Sequence, residues 1–174
     1  MADGWAHERL LFRGNFQDAE ILEQHYPILF EEYALRGGSG GAGRHRGGFG
    51  INYRVRMLRG EGKASFLMDH GRTGPPGLIG GGAGATNEIE ISQEERRARP
   101  EHLSKGEGYV LRPGDWIQVR TPGGGGYGAP AERDPAMIER DVRRGYFTRA
   151  EAAPVGTSGV AGGAAPSLLG NTGG

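Results

Sequence analysis

Three side chains able to do chemistry, Arg44, His45 and Arg46, sit inside the stretch GGSGGAGRHRGGFG (37–50), in which eight of fourteen residues are glycine. Two guanidiniums flanking an imidazole suit an oxyanion: a carboxylate or phosphate ligand, or the buried carboxylate of a partner chain. A second group, Asp69, His70 and Arg72, opens the stretch MDHGRTGPPGLIGGGAG (68–84). There a carboxylate could orient a histidine base and an arginine could clamp a developing oxyanion. Adjacent residues of an extended chain point to opposite sides, so Asp69 and His70 are not expected to form a dyad with each other. Each group also has a structural reading, in which the arginines pin a loop to its own domain and the aspartate closes a turn. The residues alone leave both readings open.

Other chemistries are excluded more firmly. Gly38, Gly40 and Gly43, and again Gly123, Gly125 and Gly128, match the spacing G-x-G-x-x-G. That motif binds a pyrophosphate only where its third glycine opens a helix, and here one match runs into a strand pattern and the other into APAERDP. No Walker sequence is present, because Gly43 is followed by Arg44 and His45 rather than by Lys and Ser or Thr. The arginine-glycine segment GRHRGG occurs once, and 21 basic residues balance 21 acidic ones, so nothing draws the chain as a whole to nucleic acid. With no cysteine there is no thiolate nucleophile, disulfide or zinc-thiolate site, which fits a reducing cytoplasm. His7, His25 and His102 lack metal-ligand spacing, and no metal site is expected in this chain. No apolar run approaches the roughly 20 residues of a bilayer span, and no signal peptide is visible, so a soluble cytoplasmic protein is the expectation.

The elements that must position these loops lie between glycine clusters. At an average usage of about 7%, roughly 12 glycines are expected. The chain has 35, and 27 of them fall within 37–50, 71–84, 123–128 and 156–174. Between the clusters, DAEILEQHY (18–26) reads as a short helix or turn. ILFEEYALR (28–36) and INYRVRMLR (51–59) alternate as strands, the second with Ile51, Tyr53, Val55 and Met57 on one face and Arg54 and Arg56 turned to water or to a partner. ASFLM (64–68), EIEIS (88–92), GYVL (108–111) and WIQVR (116–120) are further strands, with RPGD (112–115) as a turn. PAMIERDVRRG is the one well-marked helix, with Asp134 as its cap, Pro135 at its first position and Gly145 as its stop. Thr148 and Glu151 suggest a further very short helix. The fold class is mainly β (α+β), with a lead-in over 1–17, one domain over 18–153, and a glycine- and alanine-rich tail over 154–174 expected to be disordered.

Four ordered blocks, YPILFEEYALRGGSGGAGRHRGGFG, MDHGRTGPPGLIGGGAG, LRPGDWIQVRTPGGGGYGAPAERDP and RDVRRGYFTRAEAA, together resemble the C-terminal part of the hydantoinase B / 5-oxoprolinase family, with MDHGR more like the N-methylhydantoinase B branch and the ketone-carboxylase relatives than like the oxoprolinases. The resemblance implies a hydrolase subunit acting on C–N bonds of cyclic amides, inactive alone. It would work with a hydantoinase A-type ATP-using subunit and with the N-terminal hydantoinase B portion. ATP with Mg and a divalent metal are implied for the whole complex and none for this chain. The matching loop positions are Arg44, Gly47, Gly48, Asp69, His70, Arg72, Pro76 and Gly77, and Gly123, Gly124, Gly125 and Gly126 form a further structural loop. Arg44, His45, Arg46, Asp69, His70 and Arg72 are the candidate substrate or interface contacts. Relatives that carboxylate acetone or acetophenone, and a purely structural or assembly subunit, are the alternatives. A naturally split small subunit and a truncated product are equally compatible with this pattern.

Overall fold

Alternating side chains build a five-stranded antiparallel sheet in the computed structural model, which describes residues 18–149. Strand β1 (Ile28–Arg36) follows helix α1 (Ala19–His25), and β2 is Gly50–Met57. Then come β3 (Gly62–Leu67), β4 (Glu88–Gln93), β5 (Arg96–Ala98), β6 (Lys105–Leu111) and β7 (Trp116–Arg120). The large sheet has the order β1-β2-β7-β4-β5, and β3 pairs with β6 as a separate ribbon. The lead-in, the tail and Glu151, half of the second capping box, lie outside the described residues.

Cross-strand pairing puts the apolar residues on one face. Tyr53 and Val55 of β2 lie opposite Val119 and Ile117 of β7, which lie in turn opposite Ile89 and Ile91 of β4. The β3–β6 ribbon covers this face with Phe66 and Leu111, which join Met57, Ile89, Ile91 and Val119 in one buried cluster. Ile89, Ile91 and Val119 are almost wholly buried, each contributing about 1.5–3 kcal/mol of apolar transfer.

Strict alternation fails in β1. A bulge between Phe30 and Glu32 shifts the register, so Ile28 and Phe30, then Tyr33 and Leu35, face the same side as Met57, Val55, Tyr53 and Ile51. The extra residue, Glu31, is left to pair with Arg56. The opposite face of the sheet is a grid of half-buried polar side chains rather than open water. Arg54 donates to Gln118 at 2.8 Å and lies 4.4 Å from the Trp116 ring, while Arg36 and Arg120 share Glu88. Strand β2 is covered on both sides by β1 and β7; among the described residues the edges of the large sheet are β1 and β5.

The β4–β5 hairpin carries no glycine signal. Its two-residue loop is Glu94 and Glu95, both in the left-handed region at φ 49° and 66°. Asp115 braces it, accepting from the Glu94 and Arg112 amides, both at 2.8 Å. The RPGD turn forms as the residues dictate, with Pro113 at its second position and Gly114 at φ 94°.

Helix α2 (Pro135–Arg143) starts at Asp134, whose carboxylate accepts from the Ala136 amide at 2.8 Å, and Gly145 terminates it at φ 72°. Ile138 and Val142 pack with Phe49, Phe147 and Tyr146 as a second small core. Among the described residues no helix is long and apolar enough to cross a membrane.

Candidate functional site

The glycine clusters meet. The segment 123–128 runs through the middle of a bundle, bonded by its backbone to the surrounding stretches of 40–48 and 75–84. Gly41 donates to the Gly124 carbonyl at 2.8 Å, Gly124 to Gly48 at 2.9 Å, Gly126 to Gly82 at 2.9 Å and Gly82 to Ala42 at 2.7 Å. Main chains come so close that a Cβ on Gly47 would fall on the Gly124 carbonyl, and one on Gly74 on the Gly84 carbonyl. Glycine is required here for close approach rather than for turning. Neither Gly43 nor Gly128, the third glycine of each match, opens an α-helix, so neither cluster offers the helix N-terminus that a dinucleotide pyrophosphate needs.

From this bundle the first basic triplet projects in three ways. Arg46 turns inward. Its Nε donates to Asp141 Oδ2 at 2.8 Å, and its guanidinium lies 4.3 Å from the Phe49 ring and 5.4 Å from that of Tyr146. Arg133, fully buried, donates to the same Asp141 oxygen at 2.8 Å. Arg46 thus ties the loop to α2 of its own domain. His45 exchanges two backbone hydrogen bonds with Tyr127 and is half-buried. Arg44 is exposed and meets Glu132 at 3.5 Å.

The second group lines a cleft. After β3 the chain is held by the Met68 amide donating to Ser104 at 3.0 Å and by Asn87 donating to the His70 carbonyl at 2.8 Å. Gly71 presses so tightly on residues 103 and 104 that a Cβ would meet the Ser104 hydroxyl. Between loop 68–73 and turn 102–105 lies a cleft of about 460 Å³ lined by Asp69, His70, Arg72, His102, Ser104 and Lys105. His70 adopts φ 61°, and its Nδ1 lies 3.2 Å from the Thr73 carbonyl. A carbonyl can only accept, so Nδ1 carries the proton and the Nε2 of the neutral ring is left as acceptor. Asp69 does not bond His70; it is exposed, 4.0 Å from Lys105.

Two buried polar side chains flank Gly71 without partners. Ser104 is 2% exposed, and its hydroxyl has no hydrogen-bond partner among the described residues. Asn87, equally buried, lines an adjoining pocket of about 260 Å³ with Thr86 and Arg99, and neither end of its carboxamide is paired. A group left so typically costs about 1–3 kcal/mol. Sequence reasoning found Asp69, His70 and Arg72 but not Ser104, Asn87 or Lys105, which carry no motif and reach this region only through the sheet. Among the described residues no three metal-ligand side chains converge, so those residues do not fit the divalent metal implied for the complex.

The glycine bundle thus lies beside the β-sheet with basic loops at its margin. The Hydantoinase B/oxoprolinase family matches residues 1–130, and the chain belongs to that family. It is 40% identical over 124 residues to an uncharacterised protein of Methanocaldococcus jannaschii, covering 71% of this chain and 21% of the relative. It is 34% identical over 138 residues to the caprolactamase β subunit of Pseudomonas jessenii, covering 75% and 23%. The crystal structure of the ATP-dependent caprolactamase from that organism superposes with a TM-score of 0.67 at 26% identity, over 85% of this chain and 26% of that one. Nucleotide-free acetone carboxylase superposes with a TM-score of 0.73 at 20% identity, over 88% and 25%, a likeness of fold. The chain therefore spans about a fifth to a quarter of the length of these relatives.

Proposed function

We propose that this chain is the C-terminal portion of a hydantoinase B-type component of an ATP-dependent cyclic-amide hydrolase. It acts with a hydantoinase A-type subunit that uses ATP and with the portion that makes up the rest of its relatives' length. That larger assembly supplies ATP with Mg and the divalent metal. The chain contributes one wall of the reaction chamber, built on the glycine bundle and edged by the cleft of Arg72 and Lys105. The observation carrying this reading is the 34% identity to a caprolactamase subunit across 138 residues. On this reading the chain does not turn over substrate by itself.

The test is reconstitution. The purified assembly is given hydantoin, a simple lactam, or acetone with bicarbonate, and ATP use is followed. Ring opening coupled to ATP use supports the proposal. ATP use with acetone and bicarbonate alone favours carboxylase chemistry, and activity unchanged when this chain is omitted makes it an assembly protein.

A further inference from the structure

We infer that the cleft between residues 68–73 and 102–105 is a carboxylate-binding subsite. The class of molecule bearing the carboxylate, a small cyclic amide or its ring-opened product, rests on the function proposed above. The site itself rests on four observations.

The first is charge. Arg72 and Lys105 line the cleft with two imidazoles, and the one lining acid, Asp69, sits at its rim with 85% of its side chain exposed. The second is availability. The arginines of the sheet are committed to partners: Arg36 to Glu88, Arg56 to Glu31 and Arg54 to Gln118. Arg72 makes no hydrogen bond or ion pair among the described residues, and Lys105 comes only within 4.0 Å of Asp69. The third is the unpartnered, buried Ser104 hydroxyl in the cleft wall. The fourth is the frame: the Met68–Ser104 and Asn87–His70 backbone bonds hold the two walls together, so the backbone that carries Arg72 and Lys105 is set before any ligand arrives.

The donor set favours a carboxylate over a phosphate. One planar guanidinium matches the two oxygens of a carboxylate, with an ammonium beside it as a point charge. Asp69 at the rim opposes a dianion more than a monoanion. The chemistry of ring opening gives this subsite a use. Water cleaves the amide C–N bond: the acyl carbon takes the water oxygen and becomes a carboxylate, and the nitrogen takes both water protons and leaves as an ammonium. A cationic cleft retains such an anion, and on the substrate side it favours rings already carrying a carboxylate over neutral ones.

The experiment is a titration of the full 174-residue chain followed by amide chemical shifts, without ATP or partners. The probes are 5-oxoproline, the same ring without its carboxylate (2-pyrrolidinone), and inorganic phosphate. Saturable shifts at residues 69–73 and 102–105 with 5-oxoproline, absent with 2-pyrrolidinone and weakened at least tenfold by Arg72→Ala and by Lys105→Gln, support the subsite. Equal response to 2-pyrrolidinone, tighter binding of phosphate at these residues, no saturable response, or an unaffected Arg72→Ala overturns it. Arg72 is exposed and unpaired, so the variant's unfolding midpoint is expected to match that of the parent. Should the titration fail while the reconstituted assembly opens rings, the subsite alone falls. Should it succeed with an inert assembly, the cyclic-amide reading falls and the anion site stands.

Discussion

Asp141 accepts a hydrogen bond from Arg46 at 2.8 Å across 95 positions of sequence, and does so with no exposed surface of its own. The same oxygen serves Arg133, so one buried carboxylate neutralises two guanidiniums and joins the first glycine loop to α2. Removing the acid takes from the buried Arg133 guanidinium the carboxylate to which it donates. Asp141→Ala is therefore expected to cost about 3–5 kcal/mol, the range for breaking a buried pair. Arg46→Ala leaves Asp141 with Arg133 and should cost less. Arg44→Ala, at an exposed 3.5 Å contact, should stay within about 0.5 kcal/mol. Urea denaturation of the three variants gives the order, and an Arg44 effect as large as that of Arg46 contradicts it.

The bundle makes an equally sharp prediction about glycines that look interchangeable in sequence. Gly47→Ala and Gly74→Ala drive a methyl group into the backbone carbonyls of Gly124 and Gly84, atoms that cannot swing aside. Each should destabilise by about 1–3 kcal/mol or more, as overpacking does. Gly82→Ala meets its nearest atom, the Ala42 nitrogen, at 3.4 Å. That variant should be close to neutral, its crowding offset by the reduced freedom of the unfolded chain. Thermal melts of the three proteins separate the positions.

Much of the sheet was legible because its signal is local. Ile51, Tyr53, Val55 and Met57 repeat at a period of two, and Asp134, Pro135 and Gly145 mark α2 by types that satisfy helix ends. What was not legible depends on distant partners. The β1 bulge follows from pairing with β2, and the apolar residues of ILFEEYALR do not announce it. The glycine clusters read as loops because nothing local says that three of them pack together. Arg46 kept two readings until Asp141 was found beside it, and the cleft was half visible in MDHGR while Ser104 and Lys105 came from another strand's approach.

Alkaline pH probes the sheet's interior. Burial pushes the Tyr53 hydroxyl above its ordinary value of 10.0, and the neighbouring Tyr33 adds to the rise. The unfolded chain then releases this proton before the folded one, so the folded state binds more protons and stability falls as pH rises. The contribution is fully present below about pH 10 and is lost as pH climbs through the higher folded value. Stability measured against pH should decline less steeply above pH 10 for Tyr53→Phe than for the parent. Ultraviolet titration should show one tyrosine ionising late in the parent and not in the variant. Identical slopes would mean that Tyr53 ionises as freely folded as unfolded.

The hairpin between β4 and β5 stores strain that can be removed. Glu94 and Glu95 both occupy positive φ, which a two-residue turn of this kind demands and which glycine or asparagine adopts far more readily. Asp115 makes the conformation tolerable by accepting from the Glu94 and Arg112 amides. Glu95→Gly keeps both bonds and relieves the steric conflict, so it should stabilise by about 1 kcal/mol and raise Tm by about 3 °C. Asp115→Ala deprives two part-buried backbone donors of their acceptor and should destabilise by about 1 kcal/mol. In the double variant the relaxed turn depends less on its brace, so the loss on removing Asp115 should be smaller in the Glu95→Gly background. A double-mutant cycle of melting curves measures that coupling, and strict additivity would show that the brace does not act on the turn.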